Sequence, residues 1–145
     1  GSGLDNGAEM KLIECTENYS INVGDTLAAV ALEYGVSVSY LLLLNNSINN
    51  PGVIYAGQRI QVPDKRARAY INRRSIELKP LVKKLGAQKS RQRIDAVKQL
   101  IVKDWRAVPL LRQALKHKDP EIRENAREVL RTIHKSRQRP ENLKF

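Results

Sequence analysis

Few side chains in this 145-residue chain have the type and spacing for covalent or metal chemistry. The two histidines, His117 and His134, fall on different predicted helices with no cysteine nearby, which is not a zinc-ligand pattern. Cys15 is the one cysteine, so neither an internal disulfide framework nor a Cys-based zinc site can form. Lys11 is the only basic residue near it, and no histidine is, so it reads as a structural thiol. Glycoside hydrolysis needs two carboxylates across a cleft. Asp25 and Asp64 are not excluded from that role, yet no pattern singles them out. Glu121, Glu124 and Glu128 share a helix face flanked by Arg127 and Arg131, as ordinary surface pairs do. No Gly-rich phosphate loop and no Ser–His–acid arrangement occurs. The chain therefore reads as non-enzymatic, with no catalytic residue, no metal ligand and no cofactor.

What remains is binding, and charge is the first guide to it. The net charge is +11, unevenly distributed. Residues 1–64 hold two basic residues against seven acids, and residues 65–145 hold the other 24 against eight. Such asymmetry suggests two domains with different tasks. A basic half of this size attracts polyanions such as nucleic acid, anionic wall polymer or acidic lipid, although Lys and Arg are also good formers of solvated helices. Aromatics in that half are few, so single-strand base readout is disfavoured. No apolar run approaches the roughly 18 residues of a membrane span.

The elements that would position a binding site are legible in the first half. Alternation over 19–23 predicts a half-buried strand. Asp25 or Thr26 caps a helix carrying Leu27, Val30, Ala31 and Tyr34, which Gly35 ends. A second helix carries Leu41 to Leu44. A polar loop over 45–52 contains Pro51, a turn follows at Tyr55 to Gln58, and alternation returns at Arg59 to Pro63. Two such strands should pair antiparallel and stack on the two helices, an α+β arrangement. Four consecutive leucines cannot all face one side of a helix, so some should cover the second half of the chain or a second copy.

These residues resemble a LysM domain. The pattern runs Tyr19-Ser20-Ile21-Asn22-Val23-Gly24-Asp25-Thr26-Leu27, then Ala31, Tyr34-Gly35-Val36, Leu41-Leu42 and Asn45, and ends Ile54-Tyr55-Ala56-Gly57-Gln58-Arg59-Ile60-Gln61-Val62-Pro63. The resemblance implies a βααβ module over 19–64 that binds N-acetylglucosamine (GlcNAc) glycans, either peptidoglycan or chitin type. It also implies a shallow groove between two loops, Gly24, Asp25, Thr26 and Leu27 on one side and Ile48, Asn49, Asn50, Pro51, Gly52, Val53 and Ile54 on the other. Backbone amides there would meet the acetamido group, and Leu27 or Ile54 would receive its methyl. A site that hydrogen-bonds a buried amide rejects sugars lacking it, because unpaired groups cost about 1–3 kcal/mol each. The competing structural reading makes Gly24 to Thr26 a helix start and Leu27 and Ile54 core.

From Lys65 onward helical periodicity takes over. Residues 65–75 read as a basic linker or capping helix, and a new helix is expected at Ser75-Ile76-Glu77. Further helices are expected from Gln88, from Ala107 and from Pro120. An offset of 30 aligns them in pairs: Leu78 with Val108, Leu81 with Leu111, Leu85 with Leu115, Arg93 with Arg123, Ala96 with Ala126 and Leu100 with Leu130. Tandem helical hairpins of about this length are a solenoid signature. The segment 76–134 resembles two HEAT-like hairpins of the short bacterial kind, an all-α domain whose likeness implies a binding surface and no chemistry. About three repeats normally bury a continuous core. The basic helix, the leucines of the first module, a homo-oligomeric partner or a longer parent chain must therefore cover an end.

Residues 1–18 are read as a tag and N-terminal extension, with a possible extra strand at 11–15, and 135–145 as a basic tail. Gly1-Ser2-Gly3 looks appended, so a signal peptide could have been removed and its absence here means little; a periplasmic or cell-wall location is expected. Three functions compete. The first is a glycan-binding module anchoring a basic helical-repeat domain, which would hold a protein partner or anionic polymer, at the cell wall. The second is an interaction protein whose LysM fold no longer binds sugar. The third is nucleic-acid binding on charge alone, the least favoured.

Overall fold

In the computed structural model, residues 11–136 are described, and the expectations for the tag and most of the basic tail lie outside them. Two strands, β1 (Thr16–Ser20) and β2 (Arg59–Pro63), pair antiparallel, with Thr16 opposite Pro63 and Ser20 opposite Arg59. Between them in sequence lie α1 (Leu27–Tyr34) and α2 (Val38–Leu44). This is the strand–helix–helix–strand order that the alternating and helical periods predict. β1 begins and ends three residues earlier than the alternation suggests. After Ser20 the chain turns through Gly24, at φ +90, a value that favours glycine. Residues 12–14 form a 3-10 turn, not a strand, which buries Leu12 and Cys15 in the core. One further backbone bond, from Asp64 N to the Cys15 carbonyl at 2.9 Å, carries the pairing on to the residue that starts the next helix. Burial pushes the Cys15 thiol up, so it stays protonated.

α1 starts at Thr26, whose Oγ1 accepts from Ala29 N at 3.1 Å. It ends at Gly35, φ +75, where Gly35 N and Val36 N return to Leu32 O and Ala31 O. The leucines of α2 divide by depth. Leu41 and Leu42 are buried, while Leu43 and Leu44 are half-buried against the same core.

The remainder is helical: α3 (Lys65–Ile76), α4 (Lys79–Lys83), α5 (Ser90–Lys103), α6 (Val108–Ala114) and α7 (Pro120–Lys135). The expected helix start at Ser75 is instead the end of α3. Ser75 is fully buried, and its Oγ accepts from Leu110 N at 3.2 Å, tying α3 to α6. α3 packs Ala67 and Ile71 into the first core, together with Trp105. A second core joins Leu85, Leu100, Leu111, Ala126 and Leu130, with Leu32 of α1 against it.

The 30-residue offset has a structural counterpart in hydrogen bonding. Arg93 Nη1 donates to Ala87 O and Gln88 O, at 2.6 and 2.9 Å. Arg123 Nη1 donates to His117 O and Lys118 O, at 2.8 and 3.2 Å. Each arginine fastens the turn that precedes its own helix, at equivalent positions of the two hairpins.

The halves meet at the α1–α2 corner. Tyr40 and Trp105 are buried edge to face, 5.5 Å between centroids at 71°. Arg112 Nη1 donates to Leu32 O and Glu33 O, both at 2.8 Å, placing a cation on the C-terminal end of α1. Asp104, at φ 54, accepts from the buried hydroxyls of Ser37 and Ser39 at 2.7 and 3.0 Å. Among the described residues no single helix is long and apolar enough to cross a membrane.

Candidate functional site

Antiparallel pairing puts the chain leaving β1 and the chain entering β2 at one end of the sheet. Two backbone bonds extend that contact: Ile21 N donates to Gln58 O at 2.8 Å, and Gly57 N donates to Ile21 O at 2.7 Å. The loop before α1 and the loop before β2 are thereby brought together. Leu27, Ile48 and Ile54 anchor both loops in the first core.

The first loop is held by its own carboxylate. Asp25 Oδ2 accepts from Tyr19 Oη at 2.6 Å and from Asn22 N at 2.8 Å. The bond from Tyr19 holds Asp25 below the usual carboxylate range, with the Asn22 amide adding to the effect. The same bond pushes the Tyr19 phenol up to about 12. Asp64 is engaged elsewhere, accepting from Ala67 N at 3.0 Å as the N-cap of α3. Both carboxylates left open as an acid pair therefore have structural partners.

Thr26 accounts for the next donors, since Ala29 N reaches its Oγ1 and Val30 N its carbonyl at 3.0 Å. The Leu27 and Ala28 N–H groups precede the first intrahelical donors, so the helix supplies them no acceptor. Gly24 and Thr26 are exposed, and an added Cβ at Gly24 would meet nothing within 4 Å.

The second loop is braced by Asn45. Its Nδ2 donates to Leu41 O and Gln61 O, and its Oδ1 accepts from Gln61 N, all at 2.8 Å. Asn50 Oδ1 accepts from Gly52 N at 2.9 Å, and Asn50 O accepts from Val53 N at 2.9 Å. Asn49 and Asn50 are exposed, and Pro51 and Ile54 are half-buried.

Two of the named residues lie deep. Leu27 is 2% exposed and Ile48 4%, so most of each side chain is packed into the first core. Their helical and loop periodicity suits both roles, and only the packing separates them. Sequence reasoning also passed over Val23 and Tyr55, which flank the two loops at 91% and 67% exposure. An apolar residue beside a Gly-Asp turn and a tyrosine beside Ala-Gly were the available signals.

Among the described residues, the helical half is fastened to the α1–α2 unit away from these loops. The bonds described from it to the α1–α2 unit fall on Leu32, Glu33, Ser37 and Ser39, at the far end of α1. Among the described residues no group of three His, Cys, Asp or Glu side chains stands close enough to hold a metal ion.

Against known proteins, residues 19–63 match the LysM domain family, and the match ends where β2 ends. The segment is a LysM domain built on a two-stranded sheet with helices, followed by a mostly helical remainder that the family does not cover. LysM is a binding domain without catalysis of its own. A second similarity is to the endolysin of Bacillus phage B103, 39% identical over 72 residues, or 48% of this chain and 27% of the phage protein. This chain thus spans about a quarter of that relative's length. No solved structure matches.

Proposed function

We propose that residues 19–64 bind GlcNAc-containing glycan of peptidoglycan or chitin type, and that this holds the basic helical half, two HEAT-like hairpins, at a cell wall. The proposed groove runs between Gly24 to Leu27 and Ile48 to Ile54. Its donors are the Leu27 and Ala28 amides and the Asn49 and Asn50 side chains, its apolar contacts Ile54, Val53 and Tyr55. The observation that carries this reading is the state of α1: its first-turn amides have no acceptor in the helix, and the helical half is fastened to its opposite end. An acetamido carbonyl suits such amides, and its methyl suits a half-buried Ile54. The match to LysM and the similarity to a protein named endolysin agree with a wall glycan as ligand. Binding here is recognition without bond cleavage, in keeping with the structural engagement of Asp25 and Asp64.

Titration of GlcNAc oligomers followed by NMR tests the site. Shifts centred on Gly24 to Ala28 and Asn49 to Tyr55 are expected, and Thr26→Ala or Asn49→Ala should weaken binding with the fold intact. Unchanged binding in both variants removes these loops from the site. A second reading, an anionic polymer held by the basic half, rests on the 24 basic residues of 65–145. Pull-down on insoluble peptidoglycan separates the two, because polyanion attraction falls steeply between about 50 and 200 mM salt. Sugar recognition survives that change.

A further inference from the structure

Between α4 and α6, the first helices of the two hairpins, lies a cavity of about 920 Å³. Its floor is apolar: Val82 from α4, Leu110 and Ala114 from α6, and Ile122 from the start of α7. That size falls within the range of pockets, about 300–1,000 Å³, that enclose a drug-sized group. Gly86 forms one wall at close range, since a Cβ there would stand 2.6 Å from Asp119 Oδ2 and 2.8 Å from Ile122 Cγ1.

The rim is cationic. Lys79, Lys83 and Lys84 border the cavity and are exposed, and none has an ion-pair partner among the described residues. Lys79 and Lys83 are four apart on α4, so their ammonium groups follow one edge of the groove. The carboxylate at the cavity, Asp119, is engaged as the N-cap of α7, accepting from Glu121 N at 2.9 Å. Three cations thus face one carboxylate that already has a backbone partner.

We propose that this groove docks an acidic polypeptide segment, which inserts one apolar side chain between α4 and α6 while its flanking Asp or Glu residues meet Lys79, Lys83 and Lys84. Charge complementarity selects the acids. The apolar floor selects a polypeptide over a phosphate polymer, which has no group that gains from contact with Val82, Leu110 and Ile122. The inference rests on reading the helical half as an interaction domain and is independent of sugar binding.

The test selects from displayed random dodecapeptides on the full chain at physiological salt (about 0.15 M), followed by anisotropy titration of an enriched peptide. Enriched sequences should carry one Leu, Ile or Phe flanked by at least two acids. Lys79→Glu/Lys83→Glu should weaken that peptide about tenfold or more, and the same charge change at Lys98→Glu/Lys103→Glu on α5 less than about threefold. Gln113→Trp, at the exposed edge of the cavity, should also weaken it by obstructing the anchor. Circular dichroism confirms that each variant folds. Equal weakening by the two charge pairs, or indifference to Gln113→Trp, overturns the proposal. So does the absence of enriched peptides alongside binding of inorganic polyphosphate that Lys79→Glu/Lys83→Glu abolishes. Peptidoglycan pull-down of the Lys79→Glu/Lys83→Glu variant should match the parent chain, so failure of the glycan reading is scored separately.

Discussion

The two ends of α1 have opposite fates. Both are flanked by a glycine at positive φ, Gly24 at +90 and Gly35 at +75. At the C-terminal end the orphan carbonyls are met: Arg112 reaches Leu32 O and Glu33 O, and Pro109 and Arg112 pack over Gly35. At the N-terminal end Thr26 satisfies two donors and leaves the Leu27 and Ala28 amides outside the helical ladder. Among the described residues, a helix of eight residues, about 12 Å long, thus meets tertiary structure at one end and is exposed at the other. The chemistry of a helix terminus alone does not say which end is functional. What separates them, among the described residues, is that Arg112 and Pro109 cover one end while Gly24, Thr26 and Ala28 at the other are exposed.

The sharpest way to break this asymmetry is to loosen the covered end. Trp105→Ala removes a buried ring from the first core and from its contact with Tyr40, at a cost of about 3–5 kcal/mol. Thermal unfolding should shift down strongly, with the two halves unfolding in separate steps. Glycan titration well below that transition should still shift Gly24 to Ala28, because those residues lie at the far end of α1. Arg112→Ala is milder, at about 2 kcal/mol, the upper end for a partly buried cation on a helix C-terminus. It should lower the midpoint in denaturant without altering glycan affinity. An affinity loss in Arg112→Ala would mean that the two ends are coupled and the comparison is wrong.

The sequence carried the first module well and the junction poorly. Alternation over Arg59 to Pro63, the Gly35 stop and the Gly-Asp-Thr start are local signals, and the corresponding elements form. The Asp104–Ser37–Ser39 contact joins residues more than 60 apart in sequence, and no local pattern encodes it. α3 read as either a basic linker or a capping helix because its charges dominate its composition, whereas Ala67, Ile71 and Ser75 mark its buried stripe. The loops of the candidate site were legible as loops. Which of their side chains face solvent was not, since Leu27 and Ile48 follow the same pattern whether they line a groove or fill a core. The paired arginines at 93 and 123 were visible as a repeat, but their shared clamp on the preceding turn needed coordinates.

A matched pair of substitutions sharpens the comparison further. Gly24→Ala and Gly35→Ala each force a Cβ into left-handed backbone, costing about 1–2 kcal/mol. Neither creates a close clash: the site at Gly24 is open, and the Cβ at Gly35 stays 3.8 Å from its neighbours. The two variants should therefore lose similar stability in chemical denaturation. Only Gly24→Ala should weaken GlcNAc-oligomer binding, because it alone distorts the loop that presents the Leu27 and Ala28 amides. Equal loss of binding in both would assign the effect to general destabilisation.

The smallest effect concerns the bond that shapes the open end. Tyr19 donates to Asp25, which lowers the carboxyl pKa and raises that of the phenol to about 12. A lowered carboxyl pKa stabilises the fold above the ordinary Asp range, and that contribution is lost as pH falls through the folded value. A raised phenol pKa stabilises below the ordinary value of 10.0, and that contribution is lost as pH rises towards about 12. The bond should therefore hold the loop over a broad plateau between those limits and weaken on both flanks. Tyr19→Phe removes the larger of the two hydrogen-bond contributions at Asp25 and leaves the Asn22 amide in place. The Asp25 carboxyl carbon, followed by NMR, should then titrate at higher pH than in the parent chain while staying below the usual carboxylate range. An unshifted titration would show that the phenol does not orient this carboxylate. The order of the Gly24 to Thr26 loop would then have to come from the backbone alone.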